Sequence, residues 1–208
     1  MTSTASSLPH QLKKAPYATR YSVFVSLMPI DVEAIAVMIS DAVTQASFGS
    51  QRLIIVSGAD WQTIDAVFGS LRRAHDWDVV DVGQQLCERL VGVPSSLLAI
   101  RAPKILDDLC SQPGSPVVML RRLEFCFLRD LQMDPVRQLS TLARNRTIVA
   151  HWSGNHVPPL PGQVTGSLTY AEPTHAEWHT APAPTTGLIA LRPASGAWTV
   201  RHDAAPME

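Results

Sequence analysis

Cysteine is scarce in this chain of 208 residues, and its placement excludes more than its number. Cys87, Cys110 and Cys126 are scattered and odd in count, which suits neither a disulfide framework nor a paired zinc site and fits reduced thiols of the cytosol. An excess of charge of one sign is missing as well: 17 Lys and Arg stand against 18 Asp and Glu. No overall field then draws the chain to nucleic acid, and any such contact has to be a local patch. No apolar run approaches the roughly 20 residues of a membrane span. Met1 to Pro9 is polar, where a secretory signal carries an apolar core. The expectation is a soluble, cytoplasmic protein without membrane contact.

What is present is enough apolar material, 46% of residues, for one good core and a small extension. Residues 1–20, rich in Ser, Thr and Ala, read as a flexible arm, 21–172 as an α/β domain, and 173–208 as a Pro-rich tail with short strands. Within the domain, β-rich or buried-type runs at Tyr21 to Met28, Leu53 to Val56, Trp77 to Val80, Pro116 to Leu120 and Thr147 to Trp152 read as strands, the first of them at a sheet edge. Between them lie helical patterns. Asp31, Asp60 and Asp134 are placed to cap three of them, and Pro135 follows the last cap at the first helical position. Gln84 to Leu90 and Ser95 to Cys110 read as two more, with Pro103 dividing the second. Strands alternating with helices predict a mostly parallel sheet covered on both faces. Leu168 to Tyr170, Gly187 to Arg192 and Trp198 to Arg201 read as late strands, the last two paired weakly.

The stretch from Gln51 to Ala74 organises the rest. The apolar strand breaks at Ser57-Gly58 and a helical stripe of Trp61, Ile64, Val67, Phe68 and Leu71 follows at once. A helix N-terminus at the end of a buried strand is where phosphates often bind. A P-loop needs Gly, four residues, then Gly-Lys-Ser/Thr, so that amides cradle the phosphates, Lys neutralises them and a hydroxyl holds magnesium. Counted from Gly58, past Asp60 and Trp61, this chain offers Thr63, Ile64 and Asp65 at those last three places. The frame is there and the nucleotide chemistry is missing. Trp61, an aromatic in the vacant loop, is a candidate to fill the nucleotide pocket.

Further along, Arg101 to Leu109, Leu123-Glu124, Leu131 to Arg137, Ser140 to Thr147, His151 to Gly154 and Leu168 to Pro173 follow one another in an order that resembles the small P-loop-containing protein of bacteriophage exclusion (BREX) defence systems, the BrxF family. The resemblance implies a P-loop NTPase-like (RecA/AAA-like) core with degenerate motifs. Family members carry an acidic residue after an apolar strand to organise magnesium. After Val117 to Leu120 this chain has Arg121-Arg122, with Glu124 the nearest carboxylate. Inverting that charge agrees with the missing Lys. The resemblance therefore implies a non-hydrolytic accessory component with no cofactor, ATP and magnesium included, working on other defence-system proteins.

Two other readings stay open. Arg121, Arg122, Arg144 and Arg146 can form an anion site for nucleotide or DNA, Arg144-Asn145-Arg146 resembling a family sensor; against it, the first two can be ion pairs of Glu124 or Asp130 and the last two a solvated loop. The chain can also be an unrelated cytosolic regulator derived from a P-loop ATPase. His175 and His179, four apart around Glu177, would face the same side of a helix as a metal pair, but the flanking Pro173 and Pro182 leave little helix and no third ligand, so no metal site is expected. Ser153 between His151 and His156 lacks the elbow and the Asp of a triad. Cys126, Phe68, Phe125, Phe127 and Trp152 read as core or interface residues.

Overall fold

The computed structural model describes residues 21–26, 31–50, 52–112, 114–162, 165–171, 173–175, 177–183, 187–191, 193–194 and 197–202. The arm predicted for residues 1–20 lies outside them.

Five strands form one wholly parallel sheet: β2 (Leu53–Ser57), β3 (Asp78–Asp81), β4 (Val117–Arg121), β5 (Thr147–Trp152) and β9 (Leu188–Ala190), in the order β3-β4-β5-β2-β9. Parallel strands of this kind are buried on both faces, which explains why the three central ones, β4, β5 and β2, are nearly unbroken apolar runs. Alternate residues feed two cores. Ile54, Val56, Met119 and Val149 pack under α1 (Val32–Ala46) and α2 (Trp61–His75). Leu53, Ile55, Val118, Leu120, Ile148 and Ala150 pack under α3 (Val82–Leu90), α4 (Ser95–Ser111) and α5 (Pro135–Leu142). The expected fold class, α/β with a mostly parallel sheet covered by helices on both faces, is the one observed.

The expected caps form. Asp31 accepts from the amides of Glu33 and Ala34, Asp60 from Thr63 and Asp134 from Arg137. Pro103 does not divide α4, which runs unbroken from Ser95 to Ser111. A proline inside a helix costs about 3 kcal/mol, and here Ala102, Ile105, Leu106, Leu109 and Cys110 bury a stripe that outweighs it.

Two smaller antiparallel sheets join the main one. β6 (Asn155–Val157), β7 (Ser167–Tyr170) and β8 (His179–Pro182) form a meander. β1 (Tyr21–Ser26) pairs along its length with β11 (Ala197–His202), which also pairs with β10 (Pro193–Ala194). So β1 is not an edge of the main sheet, and β11 pairs with β1 and β10 and not with β9. The chain after residue 173 is also more than a tail, because β9 closes the main sheet beside β2. Leu188, Ile189 and Ala190 are all buried there.

Candidate functional site

The carboxyl ends of β2, β3, β4 and β5 meet at one end of the parallel sheet, the place where open α/β folds put their ligands. At β2 the chain turns through Gly58, whose φ of +86° lies in the left-handed region. A Cβ here would stand 1.7 Å from the Leu191 carbonyl oxygen, because the segment leaving β9 crosses directly over the turn. The amide of Leu191 donates to the Ser57 carbonyl at 2.7 Å. The His151 ring, at the end of β5, makes a hydrogen bond through Nε2 to the Ala59 carbonyl at 3.1 Å. Burial lowers the pKa of His151, opposed by that hydrogen bond and by the charges of Glu124, Asp65 and Asp60. A neutral ring holding its proton on Nε2 satisfies the bond.

This loop is short. α2 opens at Trp61, so only Ala59 and the cap Asp60 separate Gly58 from the helix. Asp60 accepts from the Thr63 amide at 2.8 Å and from the Thr63 hydroxyl at 3.0 Å. Its pKa is lowered chiefly by the Thr63 amide. A carboxylate of the chain itself thus takes a helix N-terminal amide that a phosphate oxygen would use. Ile64, counted as standing at the lysine place, is fully buried beneath the helix and faces the core. Trp61 is 57% exposed and lies at the surface.

Arg121, at the end of β4, reaches across the sheet end. Its guanidinium meets Asp65 of α2 at 2.7 Å and Asp81 of β3 at 3.2 Å. Arg122 meets the same Asp81 oxygen at 3.3 Å. The other Asp81 oxygen accepts from the Gln84 amide at 2.9 Å and caps α3. Asp81, its side chain only 11% exposed, is therefore the pivot of the cluster. The ion-pair reading of Arg121 and Arg122 is the one observed, with different partners: Asp65 and Asp81 in place of Glu124 or Asp130. Arg122 adopts φ +58°, a left-handed conformation unusual for arginine that turns the chain out of β4 into two 3-10 turns, Leu123–Phe127 and Arg129–Leu131. Glu124 is half-buried, and its Oε2 has no hydrogen-bond partner among the described residues.

Arg144 and Arg146 do not join this cluster. They precede β5, whose six residues put them about 20 Å from its far end at the usual rise of a strand. Arg146 donates to the Cys110 carbonyl at 2.6 Å, at the C-terminus of α4, where a cation suits the helix dipole. Arg144 is exposed in the turn after α5. One anion site made of all four arginines is not formed.

His175 and His179 are not on a helix: His179 opens β8 and its ring lies 5.2 Å from that of Phe127, while His175 Nδ1 accepts from the Glu177 amide. Among the described residues no three His, Cys, Asp or Glu converge as a metal site. Cys110 and Cys126 are buried thiols pushed up to about 12 by desolvation, and Cys87 is exposed. Phe68, Phe127 and Trp152 are core residues.

Two features escaped the sequence reading. Asp81 was legible in principle, since it ends an apolar strand three residues before Gln84, the spacing of an N-cap. The other is a mainly apolar groove of about 600 Å³ between α3, the start of α4 and the two 3-10 turns, lined by Leu86, Cys87, Leu90, Val91, Phe125 and Leu128 among others. Val91 is 82% exposed at its mouth.

Among the described residues no helix is long and apolar enough to cross a membrane. No protein-family model, no curated protein and no solved structure matches this chain.

Proposed function

We propose that this chain is a P-loop-like accessory component of a bacterial anti-phage system of the BREX type, without nucleotide hydrolysis, that acts through protein contacts. Two things support the reading: the collinear resemblance and the chemistry at the end of a parallel α/β sheet.

The observation that carries the loss of nucleotide chemistry is the way this end of the sheet satisfies itself. Asp60 takes the helix amide, Leu191 crosses the turn, and Arg121 is held between two aspartates. The carboxylates of Asp60, Asp65, Asp81 and Glu124 outnumber the guanidinium groups of Arg121 and Arg122, so the local field repels a polyphosphate. The groove supports the second half of the reading, because a contiguous exposed apolar surface on a folded domain marks a contact site.

The test is co-expression with the other proteins of a BREX-type system. Their co-purification with this chain, lost in Val91→Asp with Phe125→Asp but kept in a variant of the exposed Arg144, supports the proposal. Turnover of ATP or GTP by the purified chain, abolished by Asp65→Ala or Glu124→Ala, would overturn it.

A further inference from the structure

The Arg121 cluster ties the vacant site to the groove. Asp81 holds the guanidinium of Arg121 with one carboxylate oxygen and the first turn of α3 with the other. α3 carries Leu86, Cys87 and Leu90, one wall of the groove. Arg122 pairs with the same Asp81 oxygen and begins the 3-10 turn that carries Phe125 on the opposite wall. The walls also meet directly: a Cβ on Gly83 of α3 would come within 2.6 Å of the Phe125 ring and 3.2 Å of the Arg122 Cβ. On the other side Arg121 reaches α2 through Asp65 at 2.7 Å.

A ligand bound at the end of a parallel sheet does this kind of work, bridging the helix after one strand to the ends of its neighbours. Accepting the reading above that nucleotide chemistry is lost here, we propose that the Arg121 guanidinium is a built-in ligand. It is a permanent cation that latches α2, β3 and α3 to β4 and so keeps the groove in one shape without nucleotide. The chemistry suits the role. A guanidinium is charged at every accessible pH and presents two NH2 groups side by side, so one side chain bridges two carboxylates. Without it, Asp65 loses its ion pair and Asp81, nearly buried, is left with Arg122 at 3.3 Å alone as an ion-pair partner.

Arg121→Ala tests the latch, read by melting temperature and by amide hydrogen exchange resolved along the chain. The expected result is a fall of roughly 4–8 °C, from losing a half-buried ion-pair cluster in a chain of this size. With it, exchange becomes about tenfold faster in α3 and in the turn carrying Phe125, while α1 on the other face keeps its protection. Millimolar methylguanidinium, which fits the space left, restores both readouts, and sodium chloride at equal ionic strength does not. Arg121→Lys, which keeps the charge but spans only one carboxylate, falls between. A melting temperature within a degree of wild type overturns the proposal, as does faster exchange spread evenly over the chain or a loss that methylguanidinium leaves unchanged. If Arg121→Ala does not fold alone, refolding with and without methylguanidinium decides the same question. The latch fails separately from the functional reading: a wild-type melting temperature raised by magnesium-ATP would sink the lost-nucleotide reading and leave these outcomes as they stand.

Discussion

The end of the parallel sheet and the groove beneath α3 face solvent in opposite ways. At the sheet end every strong charge but Glu124 is answered from within the chain: Asp60 by a helix amide, Arg121 by two aspartates, Arg122 by one of them. In the groove Val91 stays largely exposed and Phe125 and Leu128 partly so. A site that satisfies itself has little affinity left for a ligand, whereas exposed apolar surface gains free energy only when something else covers it. The difference separates a sheet end whose charges are met within the chain from a groove whose apolar surface is still open.

The comparison breaks first at Gly58. Gly58→Ala sets a methyl against the Leu191 carbonyl at a positive φ, and we expect a loss of about 3–5 kcal/mol in denaturant unfolding. Loss below about 1 kcal/mol would mean that the segment after β9 does not seal the turn.

Asp81 gives the next largest effect and separates its two tasks. Asp81→Ala removes the α3 cap and the partner of both arginines and costs about 2–3 kcal/mol. Asp81→Asn keeps a capping oxygen and loses only the charge, so it falls between that variant and wild type. Equal losses in the two would assign the whole effect to the ion pairs.

The pH dependence sharpens the account of the sealed turn. Because burial holds the His151 pKa below its ordinary 6.5, the unfolded chain takes up the proton first as pH falls. Stability from this group is present above about 6.5 and declines as pH drops from there toward the folded value. His151→Gln should flatten that decline between neutral pH and pH 5 in urea unfolding; an unchanged slope would place it elsewhere.

The groove should respond least in stability and most in reactivity. Val91→Asp should stay within about 0.5 kcal/mol of wild type. Native protein should lose the Cys87 thiol to iodoacetamide quickly, while Cys110 and Cys126, buried and pushed up to about 12, react only on unfolding. Early loss of more than one thiol, read by mass spectrometry, would show that the core beside the groove opens.

How much of this was legible in the sequence follows from the range of each interaction. Caps are local, so Asp31, Asp60 and Asp134 were readable from spacing, as were the buried runs of the central strands. Pairing partners are not local. Arg121 was weighed against Glu124 and Asp130, a few residues away, but its closest partner, Asp65, lies 56 positions back and is brought near only by the crossover through β3. The strand at Gly187 to Arg192 was readable, but its place beside β2 in the main sheet was not, for the same reason. Arg144 and Arg146 looked like companions of Arg121 because the sequence lists charges without saying which end of a strand they flank. The short turn at Gly58 was readable too, since Asp60 as the cap starts α2 at Trp61, whereas counting a P-loop motif from Gly58 fixes a register that this cap does not follow.

The central claim is that the sheet end is closed by the chain's own residues. The most direct test is the melting temperature of the wild-type chain in magnesium-ATP at concentrations rising to the millimolar range, since a ligand of the folded state stabilises it by mass action. The account predicts no shift at any concentration. A saturating rise of several degrees would contradict it.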